Sequence, residues 1–228
     1  MRPFEEIEAV SAARKGRADR LSALLTEHDP PQSAAELERI GDDRWLSMFT
    51  RCVFRAGFSW KVIDRKWPGF EEAFEGFDVA RLAFLPDEAF EALLKDTRIV
   101  RNGAKIRSVQ QNANFLKDLA VGHGSAARFF ARYPVTDQIG LMDLLKKRGS
   151  RLGGLAGQIS LRFMGKESFV LSSDVVNALI VENVIENAAM SKKNLRVIQA
   201  AFNEWNATSG RSLNEISRIL AFSVGTPH

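Results

Sequence analysis

The sequence predicts an all-α protein, and three observations carry the prediction. No stretch has the period-two alternation of β-branched residues between turn dipeptides that a half-buried strand requires. Apolar residues instead recur at spacings of three and four in segment after segment, which places them on one face of a helix. Those segments are short, roughly ten or more of them, and capping residues, glycines and prolines separate them. Short helices with short connections do not build one long bundle, so two helical lobes with a cleft between them are expected.

Taken in order, Phe4 to Glu27 reads as one amphipathic helix, with Ile7, Val10, Ala13, Leu21, Leu24 and Leu25 on its apolar side and Pro30-Pro31 at its end. Ser33 and Glu36 have the spacing of a capping box, in which each side chain accepts the other's backbone N–H, and begin a short helix through Ile40. Asp42 or Asp43 caps the next, which carries Trp45, Leu46, Phe49, Val53 and Phe54 and stops near Gly57. A segment from Ser59 ends before Pro68, and Phe70, Phe74 and Phe77 suggest a short helix of their own. Asp78 caps another, and Pro86-Asp87-Glu88 opens one that ends near Lys95. A long helix follows Asn102-Gly103 to about Ala120, where Gly122 and Gly124 break it. Ser125–Arg132, Asp137–Lys147, Leu155–Met164, Asp174–Asn187 and Lys192–Asn206 continue the series, and a second capping box at Ser212 and Glu215 opens the last helix.

Composition narrows the function classes. A chain of 228 residues, 45% apolar and 26% charged with no low-complexity tract, buries a full core as one domain or two closely packed halves. Cys52 is the only cysteine, which rules out an internal disulfide and a cysteine-ligated iron–sulfur cluster. His28, His123 and His228 are far apart without metal-ligand spacing, so no metal or other cofactor is expected. Neither an apolar signal core nor a run of membrane-spanning length occurs, so the expectation is a cytoplasmic protein without a membrane partner. The net charge of +4 suits a polyanionic partner without selecting one.

The distribution of charge says more. From Leu144 to Lys166 there is no acidic residue, while Lys146, Lys147, Arg148, Arg151, Arg162 and Lys166 are all basic. Gly149, Gly153 and Gly154 lie inside this stretch, and glycine tolerates positive φ and close backbone approach. A glycine-rich turn that opens a helix offers unpaired N–H groups at the positive end of the helix dipole, which is a phosphate-binding arrangement. The same pattern also fits a helix-turn-helix corner whose charges are merely solvated. Leu145, Leu152, Leu155, Ile159 and Phe163 read as core either way. A second acid-free stretch, Thr97 to Lys117, carries Arg98, Arg101, Lys105, Arg107 and Lys117, of which Arg101 and Lys105 either reach a phosphate backbone or form a solvated helix face.

Three segments, in order and spacing, resemble the type I 3-methyladenine DNA glycosylases of the helix-hairpin-helix DNA glycosylase superfamily. They are A-G-F-S-W from Ala56 to Trp60 with F-D at Phe77-Asp78, I-V-R-N-G-A-K-I from Ile99 to Ile106, and K-K-R-G-S-R-L-G-G from Lys146 to Gly154. The resemblance covers Arg44 to Met164. It implies a glycosylase-like domain over residues 44–228; the helical extension at 1–43 lies outside it, and its helices are expected to fold back on the C-terminal ones. It also implies a catalytic aspartate after the hairpin; Asp174 stands at about that place, with two extra residues in the intervening loop, and is otherwise an ordinary acid in the first turn of a helix. Three departures accompany the resemblance. The family carries a glutamate in the base pocket eight residues before the tryptophan matching Trp60, where this chain has Cys52. The cysteines of its zinc clip are missing, and its N-terminal base-contacting tyrosine has no counterpart, Tyr133 being the only tyrosine.

On this basis Trp60 would stack on a flipped base, with Cys52, Phe54 and Arg55 lining the same cavity, or Trp60 is simply core beside Phe58, Val62 and Ile63. An N-alkylated purine is cationic, so an indole face would add about 0.5–2 kcal/mol. Backbone N–H groups of Gly149, Gly153 and Gly154 with Lys147, Arg148 and Arg151 would hold phosphates. Bifunctional superfamily members use a lysine on the helix after the hairpin, and Gly154–Ser160 contains none. The expected function is monofunctional excision of an alkylated purine, N3-methyladenine first among candidates, from double-stranded DNA by a nucleoid-associated monomer. The alternative is a non-catalytic helix-hairpin-helix protein that recognises damaged or bent DNA.

Overall fold

The computed structural model describes residues 2–27 and 30–224; His28 and His228 lie outside the described residues. The described residues form helices and short 3-10 turns and no strand. The predicted helix over 4–27 is two, α1 (Phe4–Arg14) and α2 (Ala18–Thr26), because Gly16 takes a left-handed φ of 99° between them. The reciprocal Ser33–Glu36 capping box opens α3 (Ala34–Glu38). Neither Asp42 nor Asp43 caps α4 (Asp42–Arg55); Gly41 precedes it without a side-chain bond, and both aspartates sit in its first turn. Asp42 caps a different helix, accepting the N–H groups of Ala126 (3.0 Å) and Ala127 (2.9 Å).

Pro68 does not end the next helix: α5 (Trp60–Ala73) runs through it. An interior proline costs a helix about 3 kcal/mol, and burial of Ile63 before it and Phe70 after it, with Trp67 stacked on Phe70 at 5.0 Å, offsets that cost. Phe70 therefore belongs to α5, Phe74 ends it, and Phe77 lies in a 3-10 turn, Glu75–Phe77. Asp78 caps α6 (Val79–Ala83), Pro86 precedes α7 (Asp87–Lys95), and Asn102 caps α8 (Gly103–His123), which passes Gly122 and ends at Gly124 with φ 87°. Then come α9 (Ala126–Arg132), α10 (Gln138–Arg148) and α11 (Leu155–Phe163). Helix α12 (Ser173–Val181) stops short of Asn187, because Asn183 turns left-handed at φ 54°. Helix α13 (Lys192–Ser209) continues past Asn206 to Gly210, and the Ser212–Glu215 capping box opens α14 (Leu213–Ser223).

These helices form two compact units. One comprises residues 32–133 and 141–166, with α4 packed against α8, α11 and α5. Aromatic rings dominate its core: Trp45 stacks on Phe130 at 4.4 Å, and Phe54 meets Phe70 edge-on at 4.7 Å. The other draws on residues 1–31, 134–140 and 167–228. Within it α1 lies along α14, the buried Ser11 hydroxyl donates to the Ile219 carbonyl at 2.8 Å, and Phe4 packs 5.7 Å from Trp205. Arg218 of α14 also donates to the carbonyls of Leu24 and Leu25 in α2.

Candidate functional site

Three elements of the first unit assemble an aromatic surface. The end of α4 turns through Gly57 at φ 75°, which puts Phe58 and then Trp60, the first residue of α5, at the surface. Trp60 is 45% exposed, so it is no core residue. Phe163, at the end of α11, meets it edge to face with ring centroids 6.2 Å apart and is itself 39% exposed. The expectation that Phe163 and Leu155 are core is therefore corrected: Leu145 and Leu152 are buried, whereas Leu155 and Phe163 point outward. Their helical spacing carries no sign of this, since exposure is decided by what packs opposite.

Each of these rings is bordered by cations. The Arg55 guanidinium lies 4.6 Å from the Trp60 ring and 5.5 Å from that of Phe163, and Lys105 Nζ lies 4.7 Å from Phe58. Arg55 is fixed by Asp64, whose Oδ1 accepts from Arg55 Nη2 (2.6 Å) and from Arg51 Nη2 (2.9 Å). Burial works to raise the Asp64 carboxyl, but the hydrogen bonds from Arg55 and Arg51 hold it below its ordinary range. Two guanidiniums share one carboxylate, which leaves a net positive charge next to the indole.

Cys52 is 4% exposed, and burial pushes its thiol up to about 12 despite the nearby Arg55 and Arg51. It is thus a small neutral group at physiological pH. Phe54 is fully buried against Phe70, inside the core. Lys105 is not on a solvated face; it is 6% exposed, and its Nζ donates to the carbonyls of Ala56 (2.6 Å) and Phe54 (3.2 Å). Burial, followed by the charge of Arg151, lowers its pKa. Arg101 is exposed.

The hairpin joins α10 to α11 through residues 149–154. Two of its glycines, Gly149 and Gly153, serve close approach rather than positive φ. A Cβ on Gly149 would lie 2.7 Å from the Leu145 carbonyl oxygen, one on Gly153 would meet Lys146 Cγ at 2.9 Å, and none of the three glycines is left-handed. The left-handed residue is Arg151, at φ 62° and exposed. Gly154 precedes α11 without a side-chain cap, so the first N–H groups of that helix keep the polarity of an open N-terminus. Lys147 and Arg148 are exposed and make surface ion pairs, with Asp143 (2.5 Å) and Asp118 (3.1 Å), and the Arg148 guanidinium also lies 5.4 Å from the Phe115 ring. Lys166 leaves the basic set, being buried with its Nζ on the Tyr133 carbonyl at 2.6 Å.

Asp174 is exposed in the first turn of α12, which Ser172 caps, and belongs to the second unit. Among the described residues no cluster of histidine, cysteine and carboxylate side chains could hold a metal ion, and no helix is long and apolar enough to cross a membrane.

A family model described as methyladenine glycosylase matches residues 37–144. Over this stretch, a little under half of the chain, the sequence is similar to the methyladenine glycosylase family. The matched segment runs from the end of α3 into α10, and so carries Cys52, Arg55, Trp60 and Lys105 but stops before the hairpin loop. No curated protein matches the chain. Of the solved structures, 3-methyladenine DNA glycosylase I from Staphylococcus aureus, in a study of its 3-methyladenine recognition, is 20% identical with a TM-score of 0.50. That match covers 69% of this chain and 92% of that one. A glutamate-to-glutamine mutant of the Staphylococcus aureus enzyme gives 19% identity and a TM-score of 0.50, covering 68% and 91%. A further 3-methyladenine DNA glycosylase I is 24% identical, with a TM-score of 0.47 over 60% of this chain and 80% of that one. The two Staphylococcus structures share the all-α fold described above.

Proposed function

We propose that the protein is a monofunctional DNA glycosylase that flips an alkylated purine out of double-stranded DNA and hydrolyses its N-glycosidic bond, with N3-methyladenine first among candidate bases. It would act as a monomer in the cytoplasm, on nucleoid DNA. The observation that carries this reading is the exposed Trp60–Phe163 pair, contributed by two helices far apart in sequence and left uncovered by the core. Such a pair offers an extruded base a stacking surface, which repays part of the few kcal/mol that unstacking costs. On the same unit the open N-terminus of α11, Arg148 and Arg151 supply backbone-phosphate contacts that position a duplex without reading its sequence.

In this proposal Asp174 supplies the carboxylate. As the bond from C1′ to the base nitrogen breaks, the positive charge left on the sugar is stabilised by a carboxylate, and water adds to C1′ with loss of its proton. A cationic alkylated base departs neutral, so less stabilisation is required than for a normal base. No lysine lies in residues 154–160 to form a Schiff base, which supports hydrolysis without strand cleavage.

A second reading, a non-catalytic binder of damaged or bent DNA, is favoured by one observation. A guanidinium borders the indole, the Cys52 thiol on the same helix as that arginine is buried and neutral, and the carboxylate that holds the guanidinium, Asp64, is already shared by two arginines. The two readings separate on methylated duplex DNA, with released bases identified by chromatography and Asp174→Asn in parallel. Release of 3-methyladenine that falls sharply in the variant supports the enzyme; salt-dependent binding without release supports the binder. Arg151→Ala is expected to weaken binding to every duplex and to lower the salt slope by about one; an unchanged slope removes Arg151 from the interface.

A further inference from the structure

Among the buried polar side chains of helix α8, Lys105 and Asn112 stand seven residues apart and hence on one face, while Ser108 between them bonds within the helix to the Lys105 carbonyl. Buried polar side chains are hydrogen-bonded, and here both bond to backbone outside their own helix. Asn112 accepts the Ser150 N–H at 2.7 Å and donates to the Ser150 carbonyl at 3.1 Å, gripping the hairpin loop on both sides of one residue. Lys105 reaches the other way, to the carbonyls of Phe54 and Ala56 at the end of α4.

The Ala56 carbonyl takes the lysine as its partner where the chain leaves α4 and turns through left-handed Gly57. Three residues separate Ala56 from Trp60, and Phe58 among them lies against the same ammonium. The lysine thus fixes the start of the segment that displays both exposed rings.

We infer that Lys105 is a positioning residue: from α8 it holds the Ala56–Trp60 turn, while Asn112 on the same helix holds the hairpin loop, so one helix sets the base-stacking surface and the phosphate-binding loop in fixed register. The inference rests on the proposed glycosylase reading for its catalytic consequence, but not for its structural one.

The test uses the full-length protein labelled with 5-fluorotryptophan, whose four signals, Trp45, Trp60, Trp67 and Trp205, are assigned by substitution. In Lys105→Met the Trp60 resonance shifts or broadens while those of Trp45 and Trp205 stay, and single-turnover base release falls by up to ~100-fold, the scale expected for a misplaced reacting group. Lys105→Arg, which restores donors, recovers part of both. Asn112→Leu lowers duplex affinity and leaves Trp60 unmoved. A Trp60 resonance unchanged in Lys105→Met overturns the inference, as does movement of both Trp60 and duplex affinity in both variants, which would mean a general loosening of α8. Should the methionine variant unfold and lose all four signals, Lys105→Gln is read instead, and an unaltered Trp60 there overturns it equally. Displacement of Trp60 with no base release even from the unsubstituted protein leaves the positioning role standing and removes the glycosylase reading.

Discussion

At the scale of single residues, Cys52 shows how a neighbourhood decides chemistry. Its thiol lies beside two guanidiniums, which favour a thiolate, yet burial outweighs them and the folded value rises to about 12. The unfolded thiol titrates near ~8.5. A group whose folded pKa is raised leaves stability intact below the unfolded value and takes it away as pH climbs from there toward the folded one. The protein should therefore lose stability progressively above that lower bound, and Cys52→Ala should flatten this alkaline limb in urea titrations at several pH values. Iodoacetamide at pH 8 should leave the folded thiol almost unmodified and react readily in denaturant; fast alkylation of the native protein would mean that the site opens.

At the scale of elements, the hairpin supplies the sharpest contrast among its glycines. A Cβ on Gly157 would lie 2.1 Å from the Leu152 carbonyl oxygen, backbone that cannot step aside, whereas Gly154 has open space and an unstrained φ. Gly157→Ala is expected to cost about 1–3 kcal/mol, overriding the helix propensity it gains, and Gly154→Ala to stay within about 0.5 kcal/mol, both read as shifts of the urea midpoint. The same elements show what was legible in the sequence. Local chemistry was: the boxes at Ser33–Glu36 and Ser212–Glu215 and the cap Asp78 form where their spacing puts them, because a cap needs only its own turn. Choices made by distant partners were not. Asp42 caps a helix that starts more than eighty residues later, Pro68 is tolerated because aromatic packing spans it, and Lys105 is buried because two carbonyls of α4 await it. Phe163 has the spacing of a core residue and lacks only a neighbour to cover it.

At the scale of the whole molecule, the units differ in how they are assembled from the chain. The unit that bears Trp60 is built almost entirely from two nearby stretches, while the other is closed by its most distant parts, α1 against α14. Ile7 and Ile219 are fully buried there, Phe4 packs on Trp205, and Arg211 pairs with Glu8 at 2.5 Å across more than two hundred residues of sequence. The N-terminal helix is therefore a structural member of the unit that holds Asp174, not an appendage. Removing the Ile7 side chain leaves a cavity that α14 cannot collapse into while Ser11 ties it to Ile219. Ile7→Ala is accordingly expected to destabilise that unit by about 2–5 kcal/mol, read from the fluorotryptophan signal of Trp205 during urea unfolding. A midpoint unchanged at Trp205 would show that α1 contributes no more than surface cover.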